Sequence, residues 1–218
     1  MNELDDGLDA PRRALLKAAL EHIPWDGWTQ SVLDQAVRDA DIQHGLEKIL
    51  FPKGAADLLH FYEGELDAEM LDVIRSADLD SLKIRERIIF AVRTRIELAG
   101  RHREAARRGV TLLALPQHLV LGMTVLAKTV DAMWHGIGDR STDFNFYTKR
   151  ATLAGVYSAT VLYWLGDDSD GAQETWEFLA RRIEDVMTIE KVKARTRAFM
   201  AGMPSPLAAL SALRYPER

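Results

Sequence analysis

Apolar positions recur at three- and four-residue intervals along almost the whole chain, and alternating runs joined by turn dipeptides are absent. Leu15, Ala18, Ala19, His22 and Ile23 share one face of a first predicted helix, closed by Pro24 and Gly27. Trp28 and Thr29 open a second helix, with Thr29 as N-cap and Val32, Leu33, Ala36 and Val37 at helical spacing. Asp41 is expected to cap a short third helix through Leu46, Ile49 and Leu50. A fourth begins near Ala55 and carries Leu58, Leu59, Tyr62 and Leu66. Later helices are predicted over 82–98, 116–134, 143–165 and 172–187. Pro116 takes a tolerated first-turn position, and Gly136, Gly138, Gly166 and 167–171 mark breaks. Short connections between many helices predict an all-α bundle. The 143–165 helix has one apolar stripe at Phe144, Tyr147, Ala151, Ala154 and Val161. A second runs through Phe146, Leu153, Tyr157 and Trp164, so burial on two sides is expected, in the core, at a cavity or at a subunit interface.

With 47% apolar residues among 218, the chain can bury a sizeable core, and 28% charged residues solvate its outside. There is no cysteine, which excludes disulfides, a thiol nucleophile and thiolate metal sites. Residues 1–11 are acidic and polar and match neither a signal peptide nor a presequence. Lys128 and Asp131 interrupt the longest apolar stretch before it reaches the ~20 residues of a membrane span. A bacterial cytoplasmic protein is expected, or an already processed chain.

Residues 10–62 resemble the N-terminal three-helix unit of the TetR repressors, in the helix end at Gly27-Trp28, the turn at Asp41-Ile42 and the Phe51-Pro52-Lys53-Gly54 stretch. A DNA reader needs phosphate and base-edge donors on the third helix. Here that helix offers one Lys beside one Glu, and residues 1–60 hold eleven Asp/Glu against six Lys/Arg. The fold is expected to be kept and nucleic-acid binding lost. A ligand-responsive repressor of the TetR type is the alternative.

The segment from Asp131 to Ala151 resembles the hallmark region of the family of the ninth coenzyme Q biosynthesis protein, and 174–187 resembles it more weakly. The resemblance implies a TetR-like fold, a homodimer, a bound lipid in an apolar cavity, and support for the di-iron enzyme that hydroxylates demethoxyubiquinone. The family's usual Trp-Tyr pair is Phe146-Tyr147 here, which removes an indole donor. A bacterial member at the inner membrane, without the family's eukaryotic targeting extension, is the expectation. Ser141, Thr142 and Asp143 suit an N-cap, and Gly136 and Gly138 suit a tight connection. Met133, Trp134, His135, Phe146 and Tyr147, rimmed by Asp139, Asp143, Asn145 and Arg150, have the composition of a partner-binding patch.

No nucleophile, phosphate loop, zinc motif or Glu-x-x-His pair is present, so no catalytic residue, metal or cofactor is assigned and the chain is not read as an enzyme. Leu112, Leu115, Leu119, Met123 and Leu126 are expected to line a lipid cavity opposite Leu153, Tyr157 and Leu162. In the tail, Ile189, Val192, Phe199 and Met200 share a face, with Lys193 and Arg197 beside or beyond it. Residues 189–218 hold six basic and two acidic residues, the pattern of a helix in an anionic membrane interface. The expected organisation is a helix-turn-helix-like unit at 10–54, a ligand-binding and dimerisation bundle at 55–187 and an amphipathic tail at 188–218.

Overall fold

A computed structural model describes the backbone of residues 3–139 and 144–201, and the side chains of 8–139 and 147–188. Helices α1 (Glu3–Asp26), α2 (Gln30–Asp39) and α3 (Leu46–Leu50) form the N-terminal unit. They are followed by α4 (Ala55–Ser76), α5 (Ile84–Gly100), α6 (Arg103–Leu113), α7 (Leu119–Gly136), α8 (Phe144–Gly166) and α9 (Gln173–Ala201). No strand occurs among the described residues.

The Thr29 side chain accepts the Val32 amide at 3.3 Å and starts α2 as predicted. Asp41 does not start α3. It sits at φ 50, and the backbone bonds Ile42 N–H to Val37 O and Asp41 N–H to Arg38 O make it the left-handed residue that closes α2. Gly45 (φ 99) precedes α3 instead, and the Glu47 carboxylate turns back to accept its amide at 2.6 Å.

Helix α6 was not predicted. Its buried face is Ala105, Ala106 and Gly109, too small to register as an apolar stripe. It nevertheless ties the protein together. Trp28 Nε1 donates to Ala105 O at 2.9 Å, and Arg108 Nε donates to Pro24 O at 3.0 Å at the end of α1. Arg103 donates to the carbonyls of Trp164 and Asp167, and Arg107 to that of Leu165. Two arginines therefore satisfy carbonyls that the end of α8 leaves without a helical partner.

The central helix is α5, which packs on α4, α6, α7 and α9. Helix α8 is buried on one side, through Leu153, Val156, Thr160 and Trp164. Its other side leaves Tyr147, Leu162 and Tyr163 exposed, so the two-sided burial expected from its stripes does not occur within one chain. Helix α9 continues unbroken past the expected 187/188 boundary.

Asp167 joins α8 to α9. Its buried carboxylate accepts Ser169 N–H at 2.8 Å, Thr175 N–H at 2.8 Å and the Thr175 hydroxyl at 2.5 Å. These bonds hold its pKa well below the ordinary 3.8. Its contribution to stability is therefore complete above that value and lost as pH falls through the depressed one. Asp167→Asn is expected to lower stability at neutral pH and to flatten the acid limb of a melting-temperature profile below about pH 4. An unchanged acid limb would show that Asp167 does not set it.

Candidate functional site

Helices α6 and α7 meet at 93° across the turn at Pro116. Together with α5 and α8 they enclose a cavity of about 340 Å³. Its walls are Ile96 and Ala99 from α5, Ala106, Val110 and Leu113 from α6, Leu119, Gly122, Met123 and Leu126 from α7, and Tyr157, Val161, Leu162 and Trp164 from α8. Leu119, Met123 and Leu162 are exposed and stand at the mouth, with Val120 beside them on the outside.

Five of the sequence-predicted lipid residues are brought together here: Leu119, Met123, Leu126, Tyr157 and Leu162. Leu112, Leu115 and Leu153 are not. Leu112 precedes the lining Leu113 and is turned about 100° around α6 from it. It packs against the core instead. Leu115 lies in the turn before α7, and Leu153 is buried in the core.

A charged cluster at the floor was not predicted. Arg95, 1% exposed, donates from Nε to Asp67 Oδ1 at 2.7 Å and from Nη2 to Glu63 Oε2 at 2.5 Å. Thr129 donates to Asp67 Oδ2 at 2.9 Å. Burial opposes the guanidinium charge, but Tyr157, Glu63 and Asp67 around it raise the Arg95 pKa. Tyr157 stands beside it, its phenol pushed up to about 12 by burial. One signal was available in the sequence: Arg95 interrupts the α5 stripe of Ala91, Val92, Ile96 and Ala99.

At the other end of α7, the predicted partner patch is only partly a surface. Met133 and Trp134 are buried, which corrects the expectation that they are its exposed centre. The Trp134 ring lies 5.4 Å beneath the Lys149 ammonium, in cation–π range. Lys149 pairs with Asp139 at 2.8 Å, and Arg150 pairs with Asp131 at 2.7 Å and Asp139 at 3.8 Å, which locks the end of α7 to the start of α8. His135 is exposed, and Tyr147 is 72% exposed. Asp143 and the side chains of Asn145 and Phe146 lie outside the described residues. So do those of Ile189, Val192, Lys193, Arg197, Phe199 and Met200.

An N-terminal three-helix unit joined to a helical bundle with an apolar cavity is a TetR-like architecture. A TetR transcriptional regulator from Nitrosomonas europaea superimposes with a TM-score of 0.65, covering 80% of this chain and 97% of that one at 18% identity. The COQ9 family model matches residues 119–190, which hold the cavity mouth, the α7–α8 corner and most of α9 that is described in side-chain detail. The ubiquinone biosynthesis protein COQ9, mitochondrial, of Rattus norvegicus is 32% identical over 199 residues, covering 87% of this chain and 64% of that protein. Its Drosophila melanogaster counterpart is 31% identical, covering 87% and 59%, and the Homo sapiens one 30%, covering 87% and 63%. This chain is similar to COQ9 proteins over most of its own length, and spans somewhat under two thirds of the length of these relatives. The relatives are named as mitochondrial proteins, which overturns the expectation of a bacterial cytoplasmic protein at an inner membrane.

Proposed function

We propose that this chain is a lipid-binding accessory protein of ubiquinone biosynthesis, with no chemistry of its own, that presents an isoprenoid quinone intermediate to the demethoxyubiquinone hydroxylase. The pathway is the one in the names of its relatives. The observation that carries the reading is the cavity between α5, α6, α7 and α8, with Leu119, Met123 and Leu162 exposed at its mouth. A cavity walled by aliphatic side chains favours apolar ligands, and exposed leucines at its rim continue that surface outward. Shielding an apolar substrate lowers the cost of carrying it from bilayer to active site.

The hydroxylase would engage His135, Tyr147 and the ion pairs of the α7–α8 corner. Residues 189–218 would rest on an anionic membrane through their basic charge. The exposed face of α8 would serve a homodimer.

The test is native mass spectrometry with lipid extraction. Near-stoichiometric lipid is expected on the wild-type chain, and at least about tenfold less on Val161→Trp, which fills the cavity. A wild-type chain that stays empty after incubation with quinone-bearing vesicles would remove the proposal.

The TetR-like fold favours a repressor as the second reading. Against it stand the five-residue α3, its exposed Ile49 and the acidic balance of the N-terminal unit. A DNA mobility shift that weakens with salt would move this reading to the front.

A further inference from the structure

A second cavity, of about 490 Å³, opens where α1, the turn after α3, α4 and α7 come together. Glu63 and Val125 border both cavities and separate them. The lining is unlike that of the first. Arg12 of α1, His60 of α4 and Lys128 of α7 bring three basic side chains to it from three helices. Phe51, Pro52 and Phe61 make its apolar side, with the two phenyl rings 5.8 Å apart.

The basic groups here are short of partners, and the acidic ones are not. Lys128 Nζ donates to His60 Nε2 at 3.0 Å, which requires that nitrogen to be unprotonated. Lys128 makes no ion pair among the described residues, so an exposed full charge rests on one neutral acceptor. Two of the three ammonium donors are left over. Arg12 makes one ion pair among the described residues, to Asp9 at 3.6 Å. The carboxylates of the cleft are all engaged. Arg13 holds Glu65, Arg95 holds Glu63 and Asp67, and Asp57 accepts the Lys53 amide at 2.7 Å. The charged groups that reach His60 are Asp57 and Glu63 on its own helix, Lys53 from the turn before α4, and Lys128 from α7. Burial, and after it Lys128, lowers the His60 pKa. An anion seated against both side chains offsets the Lys128 charge and favours the imidazolium.

We infer that this cleft is an oxyanion site that takes a phosphate group on Lys128 and on a His60 that gains its second proton as the anion enters, with Arg12 as a further donor. A phosphate brings strong acceptor oxygens and close to two negative charges, which suits donors that outnumber their present acceptors. Its source is free phosphate or the head of a phospholipid whose chains lie on Phe51, Pro52 and Phe61. The site is separate from the apolar cavity and does not depend on the lipid-binding reading. Because the anion raises the His60 pKa, binding draws a proton onto the protein and tightens as pH falls toward the range in which free His60 titrates.

Calorimetric titration of the full chain near pH 6.5 with inorganic phosphate and with dihexanoyl phosphatidic acid tests this. Both are expected to bind. Phosphatidic acid at least about tenfold the tighter assigns the site to a lipid head, and equal affinities assign it to free phosphate. Lys128→Met keeps the length of an exposed side chain and is expected to weaken both at least about tenfold, the range of one lost charged hydrogen bond. Sulfate has the same shape with two fixed charges, so any proton taken up with it goes to the protein. Measured in two buffers of different ionisation heat, its binding is expected to draw protons onto the wild-type chain and not onto His60→Asn. The inference is overturned if neither phosphate compound binds, if Lys128→Met binds both undiminished, or if sulfate binds the wild type without proton uptake. If Lys128→Met fails to fold, the proton uptake of the wild type decides alone. Loss of this site leaves the lipid reading standing, because inorganic phosphate and sulfate have no tail to place in the apolar cavity.

Discussion

Arg95→Ala is expected to cost about 3–5 kcal/mol of folding free energy. Its guanidinium is 1% exposed and joins α5 to the two carboxylates of α4, which are themselves 16% and 13% exposed. Removing the cation leaves Glu63 and Asp67 facing each other across a space with little water. Thr129 would still hold one Asp67 oxygen, which tempers the loss. For a chain of this length the melting temperature should fall by on the order of 10 °C. Arg95→Met with Glu63→Gln and Asp67→Asn should recover much of it, because the cost lies in the unmatched carboxylates rather than in the lost attraction. Urea denaturation of the single and triple variants makes the comparison. An Arg95→Ala chain within about 1 kcal/mol of wild type would mean that water reaches the cluster freely.

That cluster also shows where sequence reading runs out. The Thr29 cap, the start of α4 at Ala55 and the aliphatic stripe of α7 follow from local pattern, and the structure has each where the pattern puts it. Arg95 on α5 lies 28 and 32 residues from its partners Asp67 and Glu63 on α4. Their meeting depends on how α4 and α5 pack, which no local window contains. Helix α6 escaped for another reason. Apolar periodicity detects large side chains, and α6 packs through Ala105, Ala106 and Gly109, whose value is that they occupy little space. Once α6 is absent from the picture, one side of the cavity wall goes with it, so Ala106, Val110 and Leu113 could not be assigned to a site.

Asp41 illustrates a different limit. Asp is a good N-cap and also one of the few residues that tolerates the left-handed region, so the same letter suits the start of one helix and the end of another. Only the backbone bonds that close α2 decide between them. The partner patch has the same ambiguity. Met and Trp are typical of both interfaces and cores, and burial assigns Met133 and Trp134 to the core. Tyr147 stays exposed at this corner, beside the ion pairs of Lys149 and Arg150 to Asp131 and Asp139.

Two helical glycines should respond differently to the same substitution. Gly122 lies in the first turns of α7 at the cavity wall. A Cβ there would stand 2.9 Å from the Leu113 carbonyl oxygen and 3.3 Å from Leu113 Cβ. The first of these is backbone, so no rotamer change relieves it, and α6 must move away from α7. Gly64, on the exposed side of α4, would place its Cβ within 4 Å of nothing. Gly64→Ala is expected to stabilise the chain by about 0.5–1 kcal/mol through helix propensity. Gly122→Ala should lose that gain to the clash, and Gly122→Val should cost about 1–3 kcal/mol. The urea midpoints of the three variants measure this. The same displacement spreads the corner that forms the cavity mouth, so Gly122→Val should also retain less co-purified lipid than wild type. If Gly122→Ala instead stabilises as much as Gly64→Ala, α6 and α7 do not approach closely in solution, and the cavity they wall is wider than described here.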